Sequence, residues 1–235
     1  MFRKLARPVR RVFHELTLPA AARAKRRLDR QGLPTADPGI DRAVEEALSW
    51  LCRAQDNTRS QDGGVARHFS MIDGWSASYP ETTGYIVPTI LASATRKQSE
   101  ELRERARRML DWLVSIQLPN GGFQAGPVGS EPICPVTFNT GQILIGLASG
   151  VRELGDEYRE PMCRAADWLV ATQDDDGCWR SQPTPFAAPG EKAYETHVAW
   201  GSVVYCGLSS TNCPRRSWLV SRRSMISCGT SAGCC

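Results

Sequence analysis

The sequence predicts an all-α protein made of helical hairpins, arranged as an α/α toroid with an inner and an outer ring of helices. Three observations lead to this fold class: a residue pattern that recurs along the chain, an amphipathic helix early in each recurrence, and a nearly uniformly apolar helix late in it. The final residues break the pattern, so the predicted ring is incomplete. The chain has 235 residues, of which 41% are hydrophobic and 23% charged, and this composition is typical of a globular protein with a sizeable core.

The repeat has four landmarks. A tryptophan is followed five residues later by a glutamine, then by one or two glycines, and a threonine heads the next apolar segment. The glutamines of successive repeats are 62 and 56 residues apart. A unit of this length cannot bury its own apolar face and needs neighbours of the same kind. The matching positions are Trp50, Trp112 and Trp168; Gln55, Gln117 and Gln173; Gly63-Gly64, Gly121-Gly122 and Gly177; and Thr83, Thr140 and Thr196.

The first helix of each hairpin is predicted to be amphipathic. In the second and third repeats, apolar residues recur at i, i+3, i+4 and i+7, and Arg and Glu fill the opposite side. We expect the three tryptophans to pack in the core, and the three glutamines to satisfy backbone groups of the turns that the glycines open. The two stripes are Ala106, Met109, Leu110 and Leu113, and Met162, Ala165, Ala166 and Leu169.

The second helix of each hairpin is predicted to be buried on most sides. Residues 85–94 and 142–148 are apolar nearly all round, which distinguishes them from the amphipathic helices. Pro88 falls early in its helix, where a missing backbone N–H is tolerated. Alternation of amphipathic and buried helices is what predicts the two rings of the toroid.

Basic charge is concentrated at the N-terminus. Residues 3–30 contain ten Lys/Arg and only two acids, although the whole chain has a net charge of +4. We expect residues 1–38 to form a partly helical basic arm, which either contacts an anionic membrane or an acidic partner or is simply solvated. No nucleic-acid motif is present, and we expect no nucleic-acid partner. No run is long enough to span a bilayer and no secretory signal is recognisable, so the expected location is cytoplasmic.

The pattern stops after Trp200. Residues 202–235 are rich in Cys, Ser and Arg, and no acid follows Glu195. The interruption is explained either by a frameshift that replaced native hairpins or by a Cys-rich binding element. The nine cysteines include no C-x-x-C spacing, so we expect neither a zinc site nor any other metal site. The repeats are therefore predicted to occupy residues 39–201.

A resemblance to a known family rests on the segments from each glutamine to the following glycine or aromatic residue. Gln55…Gly63-Gly64, Gln117–Phe123 and Gln173–Trp179 resemble the repeats of squalene cyclases and protein prenyltransferases over roughly residues 40–201. The resemblance implies a helical barrel around a central cavity and an isoprenoid-like substrate. The D-x-D-D motif of squalene-type cyclases is not matched, because Asp174-Asp175-Asp176 lies in a hairpin turn, where a solvated acidic turn or a cation site is expected. The zinc-ligand set of the prenyltransferases is not matched either, and no cofactor is assigned.

A second resemblance concerns layout alone. Six-hairpin glycosidases and sugar epimerases carry polar and aromatic residues at the heads of their inner helices, and residues 79–85, 138–142 and 194–200 are compatible with that plan. The sequence thus leaves open an isoprenoid enzyme, a carbohydrate-active enzyme, a non-catalytic repeat scaffold that binds a partner in its concave face, and a truncated product without function.

The candidate site lies at the N-terminal ends, or heads, of the inner helices. Free backbone N–H groups there can bind polar groups of a small-molecule substrate. The threonine-based alignment places Thr82, Asn139 and Glu195 at one position, and Gly84, Gly141 and His197 two residues later. The alternative is that the first three are helix N-caps. As catalytic acid/base groups we predict Glu81, Glu195 and His197. As substrate-binding residues we predict Trp75, Thr82, Tyr85, Asn139, Gln142 and Trp200.

Overall fold

The structure is a computed structural model, and it describes residues 16–32, 36–180 and 197–201. The described chain is mostly helical, so the predicted all-α class is confirmed. The closed or open ring of a toroid stays a prediction. Among the described helices, none is both long and apolar enough to cross a bilayer. The predicted tail at 202–235 and the first half of the basic arm lie outside the described residues.

Six α-helices and one short hairpin make up the described fold. In chain order they are α1 (Ala20–Arg30), α2 (Ile40–Asp56), β1 (Phe69–Ser70), β2 (Gly74–Trp75), α3 (Pro80–Lys97), α4 (Glu100–Ser115), α5 (Thr137–Glu153), a 3-10 turn (Asp156–Tyr158) and α6 (Arg159–Ala171), and residues 197–201 are again helical. The two-residue strands pair antiparallel, and the sequence analysis did not predict them. Pro88 lies in the interior of α3 and not in its first turn, so the expectation that it falls early in its helix is wrong.

Helices α3 and α5 form the centre of the packing. They pack against each other, α4 packs on α3, and α6 packs on α5. Burial separates the two kinds of helix as predicted, because α5 is buried on all sides from Asn139 to Val151 whereas α4 and α6 bury one stripe each. The predicted stripe residues of α4 and α6 are all fully buried. Burial of this apolar surface is the main stabilising contribution to the fold.

The repeated glutamines connect one repeat to the next. Nε2 of Gln55 donates to the carbonyl of Gly63 at 2.9 Å in its own turn and to that of Arg105 at 3.1 Å in α4. Nε2 of Gln117 donates in the same way to the carbonyls of Gly121 and Pro161, both at 2.9 Å. Each side chain therefore satisfies the turn, as predicted, and also bonds to a backbone carbonyl of the following amphipathic helix.

The repeated tryptophans and glycines also pack across repeats. A Cβ atom added at Gly64 would lie 2.6 Å from the Trp112 ring, and one added at Gly122 would lie 2.9 Å from the Trp168 ring. Trp112 and Trp168 are 6% and 7% exposed, so their prediction as core residues is confirmed. Each indole therefore covers the glycine turn of the repeat before it, and no side chain larger than hydrogen fits beneath it.

Trp50 departs from this pattern. It is 45% exposed, and the prediction that it lies in the core is wrong. Its ring packs on the hairpin of its own repeat, with centroids 4.8 Å from Trp75 and 6.3 Å from Phe69. The reason is its place in the series: within the described part of the chain, no glycine turn of an earlier repeat covers it.

An ion pair not foreseen from the sequence joins α2 and α4. The guanidinium of Arg105 makes two hydrogen bonds to the carboxylate of Asp56, at 2.7 and 2.9 Å, and Nε donates to Glu101 at 3.0 Å. Arg105 is only 9% exposed, and its pKa is raised, chiefly by the bond to Asp56. The bond from Arg105 correspondingly holds the pKa of Asp56 below its usual value.

Candidate functional site

The heads of the central helices lie side by side because glycines let their backbones approach closely. A Cβ atom added at Gly84 of α3 would lie 2.6 Å from Cα of Ile143 in α5. One added at Gly141 of α5 would lie 2.9 Å from Cα of Val198 in the helical segment 197–201. The three helices are thus packed in the same manner, α3 on α5 and α5 on the next.

This packing fixes which residues are equivalent. Gly84 contacts Ile143 in the same way that Gly141 contacts Val198. Gln142 precedes Ile143 and His197 precedes Val198, so Gln142 and His197 occupy equivalent positions. The threonine-based alignment of the sequence matched His197 with Gly84 and Gly141. The packing shows that this alignment is displaced by one residue at His197. Threonine equivalence between α3 and α5 adds Tyr85 to the set, since it follows Gly84 as Gln142 follows Gly141. Tyr85, Gln142 and His197 therefore form a polar row across three neighbouring helices.

Threonines anchor the two central helices to the preceding turns. Oγ1 of Thr83 donates to the carbonyl of Tyr79 at 2.8 Å and accepts from the N–H of Val65 at 3.0 Å. Oγ1 of Thr140 makes the equivalent bonds to Val136 and Phe123, at 2.9 and 3.0 Å. The sequence analysis used these threonines for alignment only. Their role is to hold the segment after each glycine turn against the first turn of the next central helix.

Glu81 lies in the first turn of α3 and is half-buried. Burial raises the pKa of its carboxyl, and the positive charge of Arg67 partly opposes that shift. Arg67 stacks over the ring of Tyr79, with its guanidinium carbon 4.7 Å from the centroid. Tyr85 lies one turn after Glu81, and its pKa is raised by burial first and by the carboxylate second. The structure thus brings two predicted site residues, Glu81 and Tyr85, together.

The other two residues of the row, His197 and Gln142, differ in their surroundings. Phe138 and His197 meet edge to face with their centroids 6.4 Å apart, which confirms that the heads of α5 and of the following helix adjoin. Gln142 is 6% exposed, and its Nε2 has no hydrogen-bond partner among the residues that the structure describes. A buried amide without an acceptor is costly, so Gln142 is the polar group in this row with an unmet need for a partner.

Thr82 and Asn139 are engaged by the backbone. Oγ1 of Thr82 donates to the carbonyl of Tyr79 at 3.2 Å, and Nδ2 of the buried Asn139 donates to the carbonyl of Gln124 at 2.9 Å. Neither is an N-cap, because Tyr79 and Val136 hold those positions without a side-chain bond, so the capping alternative is wrong for these two residues. Asn139 instead fixes the loop that leads into α5.

The predicted aromatic contacts divide between two places. Trp75 is half-buried in the cluster with Trp50 and Phe69, where its centroid lies 5.0 Å from that of Phe69. Trp200 is 60% exposed on the helical segment after His197. The structure does not bring these two tryptophans together. Glu195, the remaining predicted acid/base group, lies outside the described residues.

The acidic turn of the third repeat is organised by its own hydrogen bonds. The carboxylate of Asp176 accepts from the N–H of Cys178 at 3.1 Å and pairs with Arg180, and that pairing lowers its pKa. Asp174 accepts from the N–H of Arg180 at 2.8 Å. Within the described ranges, no three His, Cys, Asp or Glu side chains gather as a metal site requires.

Comparison with known proteins gives one informative similarity. No family model matches the chain, and no solved structure matches it. A drimenyl diphosphate synthase from Streptomyces showdoensis is 32% identical over 151 residues, which cover 63% of this chain and 25% of that protein. The chain therefore spans about a quarter of the length of the relative it matches. This similarity to a terpene synthase supports a terpenoid-cyclase-like relationship.

Proposed function

We propose that this chain is a terpenoid-cyclase-like protein that binds an isoprenoid substrate at the heads of α3, α5 and the helical segment 197–201. Two lines support the proposal: the similarity to a protein named for drimenyl diphosphate, and the grouping of polar and aromatic side chains at adjoining helix heads. An isoprenoid chain needs an apolar lining with a few polar groups that fix its orientation. Tyr85, Phe138 and Trp200 supply aromatic surface, and Gln142 supplies a hydrogen-bond donor.

The observation that carries the proposed chemistry is the half-buried carboxyl of Glu81 with its raised pKa. A carboxyl that holds its proton more strongly is suited to act as a general acid. In the proposed reaction Glu81 protonates a carbon–carbon double bond, a second double bond of the same substrate closes a ring onto the carbocation, and a proton then leaves carbon. His197 is the candidate acceptor of that proton, and Glu195 is a further candidate acid/base group.

The test uses the purified chain with prenyl diphosphates of increasing length, and the products are analysed by mass spectrometry after phosphatase treatment. Glu81→Gln is expected to retain substrate binding, followed by tryptophan fluorescence, and to lose cyclised product. Glu46→Gln is the matched control, because Glu46 is an exposed glutamate of α2 and is not among the predicted site residues. Cyclisation that survives Glu81→Gln would contradict the proposed acid, and absence of both binding and turnover in the wild type would contradict the proposed function.

A specific observation also favours a non-catalytic repeat scaffold. Helix α5 is buried all round from Asn139 to Val151, so its own chain fills the space beside this central helix. In that case the helix heads bind a partner without chemistry. Ligand binding that is unchanged by Glu81→Gln, together with no product from any prenyl diphosphate, is the result expected for a scaffold. The carbohydrate-active alternative stays a prediction.

A further inference from the structure

Helix α1 has a two-sided surface that the proposed function does not use. Ala20, Ala24 and Leu28 recur every four residues and lie along one side, and all three are exposed. Lys25 and Arg27, one position from Ala24 and Leu28, flank this apolar side on its two edges. A helix whose apolar side faces solvent between basic edges has the pattern of a segment that lies at a membrane interface.

Burial shows that the body of the protein does not cover this side. Ala22 is the buried residue of α1. Successive residues of a helix are about 100° apart, so Ala22 projects well away from the side formed by Ala20, Ala24 and Leu28. Leu28 is 56% exposed, and Leu16, just before the helix, is 72% exposed. Two leucines are therefore presented to the outside on the same N-terminal segment.

The basic residues at the two edges of the apolar side are available for an external partner. Lys25 and Arg27 are exposed, and neither forms an ion pair with another described residue, whereas Nη1 of Arg23 donates to the carbonyl of Leu16 at 3.5 Å. Asp29 is the one acid of the helix. Residues 3–30 carry ten basic residues and two acids, and because the whole chain has a net charge of +4, the remainder of the protein has an excess of acids. Residues 3–30 are thus the most basic segment of the chain, and residues 202–235, with four arginines and no acid, are the other one.

We propose that α1 binds the surface of an anionic lipid bilayer, with Leu16 and Leu28 entering the headgroup region and Lys25 and Arg27 contacting lipid phosphates. The apolar side has one large side chain among alanines, so charge supplies most of the attraction and binding is reversible and salt-sensitive. A nucleic acid would use the basic side and leave the exposed leucines in water. The bilayer is the partner that uses both sides of the helix.

The experiment is co-sedimentation of the full chain with vesicles of phosphatidylcholine alone and of phosphatidylcholine mixed with phosphatidylglycerol. Binding is expected to the mixed vesicles and to weaken as salt is added. Each basic residue near an anionic surface contributes roughly fivefold to affinity, so the double variant Lys25→Glu, Arg27→Glu is expected to bind about 25-fold more weakly or worse. Leu28→Ser is expected to weaken binding a few-fold through loss of the inserted side chain.

The matched control is the double variant Arg42→Glu, Arg59→Glu, which changes the net charge equally at exposed positions outside α1. It is expected to bind vesicles within about twofold of the wild type, apart from the small effect of net charge. Thermal melts of both double variants should match the wild type, because all four residues are exposed. Equal loss of binding in the control, equal binding to neutral vesicles, or vesicle binding that Leu28→Ser leaves unchanged would each overturn the proposal.

Discussion

The clearest test of the repeat packing is to remove two tryptophans that the sequence makes equivalent. Trp112 is 6% exposed and covers Gly64, whereas Trp50 is 45% exposed and covers no glycine turn in the described chain. A tryptophan buries up to about 250 Å², so the difference in exposure amounts to about 100 Å² of buried surface. At about 25 cal/mol per Å², Trp112→Ala should cost about 2.5 kcal/mol more than Trp50→Ala.

The cavity left in the core adds to the loss at Trp112, so the total for Trp112→Ala is expected at roughly 3–5 kcal/mol. The assay is urea denaturation followed by far-UV circular dichroism, with both variants and the wild type compared at equal m-values. Trp168→Ala is the internal control, because Trp168 is 7% exposed and covers Gly122 as Trp112 covers Gly64. Similar losses for Trp50 and Trp112 would refute the conclusion that each indole is buried by the preceding repeat.

Three further predictions concern single positions. Asp56→Ala removes the paired carboxylate from the mostly buried Arg105 and should lower the free energy of unfolding by roughly 1–3 kcal/mol in urea titrations, less if water reaches the guanidinium. Gly121→Ala should cost roughly 2 kcal/mol or more in the same assay, because Gly121 has φ +92° and its added Cβ would collide with the carbonyl of Arg164. Burial raises the pKa of Glu81, so the folded state holds this proton more tightly and the carboxyl destabilises the fold as pH rises through its folded pKa. Glu81→Gln should therefore gain stability over the wild type at neutral pH and match it below about pH 4, as measured by thermal melts across pH.

The helices could be predicted from the sequence because their signals are local. Periodic burial on α4 and α6 and uniform burial on α5 follow from residues three and four apart on the same helix. The bonds of Gln55 and Gln117 to their own turns were predictable for the same reason, since each spans one turn of chain. These bonds within each turn are the part of the repeated residues' role that a local pattern could indicate.

The contacts between repeats were not predictable in the same way. The burial of a tryptophan depends on the neighbouring repeat, so the same residue type is core at Trp112 and exposed at Trp50. The ion pair of Arg105 and Asp56 joins residues that are 49 positions apart in the sequence. The repeated Gly–Gly turns do not indicate which charged residues will pair across such a distance. The position of His197 was one residue out because threonine alignment does not register how closely two helices approach.

The site was foreseen in part. Polar residues at the heads of apolar helices led to Glu81 and Tyr85, and these two do lie one turn apart on α3. The influence of Arg67 on Glu81 was missed, because Arg67 lies in a loop whose path the sequence does not specify. Composition alone could indicate neither the unpaired amide of Gln142 nor the engagement of Asn139 with a loop carbonyl.

The segments that enter α3 and α5 are closed at their base by isolated antiparallel bridges, Ala66 with Ser78 in one repeat and Gln124 with Pro135 in the next. The two loops beyond these bridges differ in how they are held. The carbonyl of Ser76, in the first loop, accepts hydrogen bonds from Oγ1 of Thr58 and from the N–H of Arg59, and Trp75 of the same loop packs on Trp50 of α2. These contacts tie the first loop to the end of α2 and constrain its sequence. Loops vary more readily than the elements they connect, so the residues between Gln124 and Pro135 are where we expect the rim of the proposed binding region to diversify.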